Sequence, residues 1–171
     1  MITGFARRLR WYHWILVVVL VLIALMWIYA IFFASHKNLN RVGDRAWAAR
    51  NEQICATAKA KIDALPPAKT AKTPLERAAV LDQADDDVAA LIDSLHSNKI
   101  VGSSRDGHLV ELWLADWDLY LSNRRDYAAE LHKNENKPFA VSLREGTPIT
   151  ERIDGFADVN SMPSCESPLD V

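Results

Sequence analysis

From residue 15 to residue 34 the chain runs twenty positions without a charge, a glycine or a proline. A helix rises 1.5 Å per residue, so this run covers about 30 Å, the thickness of a bilayer's hydrocarbon core. The pattern predicts a membrane helix over 15–34. A buried core helix is the poorer reading, because no other segment could cover a helix that is apolar all round. Trp11, Tyr12 and Trp14 stand at one end, where amphipathic rings favour the headgroup level. A cleaved signal peptide would have a shorter apolar region of about 7–15 residues and a small–x–small cleavage site. Cleavage after Ala34 would instead put bulky Phe32 three positions before the cut. The segment therefore reads as an uncleaved anchor.

Beyond it the apolar positions change to helical spacing. Trp47, Ile54, Ala58 and Leu65 share one stripe, with Ile62 flanking it and Cys55 at its edge. With no proline between 35 and 65, the pattern predicts one helix running on from the membrane segment, kinked at most at Gly43. Pro66-Pro67 ends it, and 68–72 read as a loop. Thr73-Pro74-Leu75-Glu76 supplies an N-cap, a first-turn proline and an acid at the third position. The stripe that follows is Ala78, Leu81, Val88, Leu91, Ile92 and Leu95, with Asn98 placed to close the helix in the left-handed conformation. After a Gly/Ser loop, Val110, Trp113, Leu114, Trp117, Leu121, Ala128 and Leu131 keep a 3–4 spacing up to Lys137-Pro138. A short helix over 148–159, capped by Thr147, carries Ile149, Ile153 and Phe156. No strand pattern of useful length and no fixed repeat appears.

The expected fold is all-α: an N-terminal transmembrane helix followed by an antiparallel bundle of three long helices, a short C-terminal helix and an extended tail. The divisions are a basic tail at 1–14, the membrane helix at 15–34, the bundle at 35–160 and the tail at 161–171.

Charge sharpens this division. The chain carries 22 acidic and 20 basic residues, and the first 34 positions hold three of the arginines and no acid. The remaining 137 residues are net acidic, with 17 Lys/Arg against 22 Asp/Glu, which argues against a nucleic-acid partner. The positive-inside count is tied, with Arg7, Arg8 and Arg10 on one flank and Lys37, Arg41 and Arg45 on the other. The first three are closely packed without an acid, whereas Asp44 sits among the others. The expected arrangement is a single pass through the cell (inner) membrane, N-terminus cytoplasmic, with the C-terminal domain extracytoplasmic. Cys55 and Cys165 both lie in that domain without a CxxC or a Cys/His cluster, so zinc is not indicated. Outside the cytoplasm such a pair reads as a disulfide; in a reducing compartment it would be two buried thiols.

Candidate chemistry changes little. The phosphate-binding, dinucleotide, zincin, nucleophile-elbow and EF-hand patterns are all absent. No catalytic or metal-binding residue and no cofactor is expected. Asp82, Asp85 and Asp86 share a helix face, which reads as a solvated acidic surface because calcium wants more oxygens than a helix face presents. His96 and His108 flank the Gly/Ser loop without a third ligand or a nucleophile. Asp116 and Asp118 bracket Trp117 and point apart. Trp113 and Trp117 are expected in the core, with an exposed partner site as the alternative. Trp27, Tyr29, Phe32 and Phe33 form an aromatic end of the anchor, suited to packing against a larger membrane protein or to plain lipid contact.

Several blocks are similar to a known family: Trp27-Ile28-Tyr29-Ala30 with Phe32-Phe33-Ala34-Ser35, and Val42-Gly43-Asp44-Arg45-Ala46-Trp47-Ala48 leading to Ile54-Cys55. Others are Trp113-Leu114-Ala115-Asp116, Asn136-Lys137-Pro138-Phe139 and Met162-Pro163-Ser164-Cys165. On these the chain resembles a family of single-span actinobacterial membrane proteins of mostly unassigned function. A mycobacterial accessory subunit of the Mce lipid-import machinery is similar to that family. The resemblance implies a one-span, non-enzymatic accessory subunit of an envelope transport complex, docking beside a transporter permease. It implies no catalytic residues, and its two cysteine blocks strengthen the disulfide reading. The alternative is a stand-alone envelope sensor or cell-wall-binding module on a simple tether.

Overall fold

The computed structural model describes residues 3–32, 38–168 and 170, with the side chains of the first segment described at 11 and at 13–29. The chain divides into two compact units, Met1–Lys37 and Asn38–Val171. In the first, helix α1 spans Thr3–Phe32, and every described side chain on it is exposed. Among the described residues no helix is long and apolar enough to cross a membrane. The expected span 15–34 is helical as far as Phe32, while positions 33 and 34 lie outside the described residues.

The second unit is a helical bundle. It contains α2 (Arg45–Asp63), α3 (Pro74–Ser97), α4 (Arg105–His132) and α5 (Ile149–Asn160). Antiparallel packing follows from which residues meet. Trp47 at the start of α2 donates its indole N–H to the carbonyl of Asn98, just past α3. Asp85 of α3 faces Arg124 of α4, while His96 faces Asp118. Trp113 of α4 stacks on Phe156 of α5. The α3 and α4 stripes expected from sequence are the ones buried. Trp47, Trp113, Trp117 and Phe156 form an aromatic centre of mainly edge-on contacts. A smaller cluster of Ala68, Ala78, Leu81, Tyr127, Ala128 and Leu131 fills the far end, with Phe139 packing against both.

Local chemistry sets the helix ends. Thr73 accepts from the Glu76 amide while Glu76 accepts from Lys72 N, so the expected cap of α3 is present. At the other end of α3, Asn98 has φ −105°, so the left-handed closure expected there does not form. Asn134, at φ 63°, closes α4 with the paired bonds of a Schellman motif, four residues before Pro138. A two-residue hairpin, β1 (Leu143–Arg144) and β2 (Thr147–Pro148), precedes α5. Glu145 and Gly146 both have positive φ in its turn, as a type I′ turn requires. Thr147 therefore belongs to a strand and does not cap α5, whose N-cap position is Pro148.

The helix expected to continue unbroken through 35–65 is also corrected. Residues 38–44 are turn and extended backbone, and α2 starts afresh at Arg45 with Asp44 as its N-cap. The backbone of this segment bonds sideways. Val42 N donates to Asn160 Oδ1 at 2.8 Å, and Gly43 N to Asp106 Oδ2 at 2.7 Å. Those partners replace the i→i−4 bonds that a continuous helix would need.

Candidate functional site

The Cys55–Cys165 disulfide is present, with Cα atoms 5.1 Å apart. Its position follows from a rotation of the α2 stripe. The buried residues are Trp47, Ala48, Asn51, Cys55, Ala58 and Ile62, so Cys55 lies at the centre of the inward face, and Ile54 and Leu65 lie at its margin. A structural disulfide points to an oxidising, extracytoplasmic compartment for this unit.

The tail it holds is neither simply extended nor held by the bond alone. Ser161, at φ 61°, ends α5, and Pro163–Cys165 forms a 3-10 turn. Met162 is buried in the main core. Ser164 donates through its amide and hydroxyl to the two carboxylate oxygens of Glu52, at 3.0 and 2.7 Å. Ser167 does the same to Asp154 Oδ1. Tyr120 donates its hydroxyl to Pro168 O at 2.9 Å.

Beneath the tail lies Arg124, whose side chain is wholly buried. Its Nε donates to Asp85 Oδ1 at 2.5 Å, and Nη1 and Nη2 grip Asp170 at 2.6 and 2.8 Å in a two-pronged pair. Nη1 also reaches Tyr120 Oη at 3.2 Å. Burial alone would lower the Arg124 pKa, but the Asp170 hydrogen bond and the surrounding charges outweigh it and raise the group above its ordinary value. Burial pushes the Tyr120 hydroxyl up to about 12. It also lifts Asp85 above its ordinary value, against the pull of Arg124 and with Asp170 adding to the rise. Asp85 Oδ2 has no hydrogen-bond partner among the described residues. The expectation of a solvated face at Asp82, Asp85 and Asp86 is thus corrected at Asp85, which points inward, while Asp82 pairs with His132 on the surface.

A groove of about 320 Å³ runs beside this cluster, between the Pro66-Pro67 turn, α3 and the tail, with Lys59 and Lys69 among its lining. A second cleft of about 360 Å³ lies between α4, α5 and the hairpin. There Asp116 is buried and pairs with Arg144 at 2.7 Å and Arg152 at 3.0 Å. Asp118 pairs instead with His96 on the surface, so the two carboxylates do point apart. His96 and His108 form no joint site: His96 is engaged by Asp118, and His108 is exposed. Trp113 and Trp117 are core residues, and their indole N–H groups have no hydrogen-bond partner among the described residues.

Of the aromatic residues singled out on α1, Trp27 and Tyr29 are exposed. The Phe32 side chain and all of Phe33 lie outside the described residues. Among the described residues no group of three or more His, Cys, Asp or Glu is arranged to hold a metal ion. The sequence reading missed Arg124 and Asp170. A signal existed in the single arginine that falls on the α4 face continuing Trp117, Tyr120 and Leu121. No protein-family model, curated protein or solved structure matches this chain.

Proposed function

We propose that the chain is a non-enzymatic, membrane-anchored accessory subunit of an envelope transport complex, of the kind that serves Mce-type lipid import. In this reading its N-terminus is cytoplasmic and its disulfide-closed bundle extracytoplasmic. The observation that carries the anchor in this reading is the exposure of α1. Every side chain from 15 to 28 is exposed, and none is charged. Such a surface is stable in hydrocarbon and unfavourable in water, at about 25 cal/mol for each Å² left wet. Fifteen of the twenty positions in 15–34 have described side chains, covering about 22 Å, and the sequence stays free of charge, glycine and proline through position 34. The disulfide supports the extracytoplasmic side. Docking beside a permease would use the exposed Trp27 and Tyr29 edge of the anchor.

Crosslinking in membranes, followed by gentle solubilisation and identification of partners, tests the role. A permease recovered in stoichiometric amount supports the accessory subunit. The two clefts on the bundle favour one second reading, a tethered module that binds its own ligand. Recovery of the chain alone supports that module.

A further inference from the structure

Two short segments of the bundle meet where the chain enters it from the anchor. Residues 38–43 carry Leu39 and Arg41, and residues 98–105 carry Lys99, Val101 and Arg105; neither segment contains an acid. They are physically joined, because the Arg105 guanidinium donates to the carbonyls of Leu39 and Arg41. Leu39 is 76% exposed and Val101 88%. The Val101 loop is held against the bundle. A Cβ at Gly107 would lie 2.6 Å from Gly102 O and 3.3 Å from Ile100 O, so the 100–102 backbone sits directly on α4. Trp47 fixes its start through Asn98. The apolar tip is therefore presented outward by a pinned backbone, and little entropy remains to be lost when it is covered.

We propose that this end of the bundle is a docking surface for an anionic lipid headgroup layer, with Leu39 and Val101 entering the interface and Arg41 and Lys99 meeting lipid phosphates. The proposal rests on the anchor reading above, which brings this end to the bilayer: Asn38 follows Phe32 by six residues, a reach of about 20 Å at most. Charge complementarity selects the occupant. Arg41 and Lys99 are exposed cations on this surface, and the acids that adjoin the two segments are engaged, Asp44 by the Trp47 amide and Asp106 by the Gly43 amide and Arg105. Each cation close to an anionic membrane shifts the docking equilibrium about fivefold.

The test uses the full chain with Val101→Cys carrying an environment-sensitive fluorophore, and Glu135→Cys labelled as the comparison. Each is reconstituted into phosphatidylcholine vesicles with and without phosphatidylglycerol and purified by flotation. The expected result is a blue-shifted Val101 probe, quenched by nitroxide lipid, in the anionic vesicles. The shift is lost with Arg41→Glu and Lys99→Glu, and the Glu135 probe stays in water throughout. Flotation with a water-exposed Val101 probe overturns the docking surface and leaves the anchor intact. A shift indifferent to lipid charge, or seen only in native membranes and so due to a protein partner, overturns it equally. Failure to float overturns the anchor and the surface together.

Discussion

Arg124, its side chain wholly buried, commits its guanidinium to two carboxylates and a phenol. Taking away the arginine leaves Asp85 and Asp170 without their cation. Arg124→Met should cost about 3–5 kcal/mol in urea unfolding, and adding Asp85→Leu should recover much of that loss, because the buried charge goes with it. Equal, additive losses would mean that the two residues do not act as a pair. Asp85 adds a pH signature. Its folded pKa lies above the unfolded value, so the fold prefers the protonated form. That contribution is complete below the ordinary carboxylate range and is lost as pH rises through the folded value. The stability of Asp85→Asn relative to the parent should therefore improve as pH rises across that window. A difference that is flat or falls with pH would contradict the assignment.

Among the elements, the N-terminus of α4 offers the clearest case of context reversing propensity. Glycine inside a helix normally costs about 1 kcal/mol against alanine, so Gly107→Ala would ordinarily stabilise. Here the new Cβ would meet a backbone oxygen at 2.6 Å, and the substitution should destabilise by about 1–3 kcal/mol. An increase in melting temperature would show that the 100–102 loop moves aside freely. The disulfide closes a sequence separation of 110, for which chain entropy sets a ceiling of about 4–5 kcal/mol. Cys55→Ser paired with Cys165→Ser should lower stability by up to that amount. The tail should nonetheless stay docked, because Glu52, Asp154, Tyr120 and Arg124 also hold it. Hydrogen exchange over 163–168 reads this directly, and loss of protection at every amide would mean that the bond alone holds the tail.

The helices α3 and α4 and their buried stripes were legible because period and caps agree: Thr73-Pro74-Leu75-Glu76 carries the start of α3 in four residues. The break at 38–44 was not, because its cause lies far along the chain. Asn160 and Asp106 supply the bonds that draw Val42 and Gly43 out of the helix, and no local pattern announces partners more than 60 residues away. Arg124 escaped notice for a related reason. A charge on an apolar face is legible as an exception, but its compensating Asp170 sits in the tail. The disulfide was legible from cysteine count and inferred compartment, whereas the hydrogen bonds that share its task were not.

At the scale of the whole molecule, an exposed apolar helix and a disulfide-closed bundle occupy one chain as two units. Their chemistry calls for different surroundings, hydrocarbon for the first and an oxidising aqueous space for the second. The single-pass anchor proposed above, with the bundle outside, would satisfy both. It is tested most directly by placing Glu135→Cys, exposed and distant from the proposed headgroup surface, in the full chain in intact cells. The cells are treated with a membrane-impermeant thiol reagent, and the membranes are then extracted with alkaline carbonate. An anchored chain with its bundle outside is labelled before lysis and stays in the membrane pellet. Labelling only after lysis, or a chain released by carbonate, would contradict it.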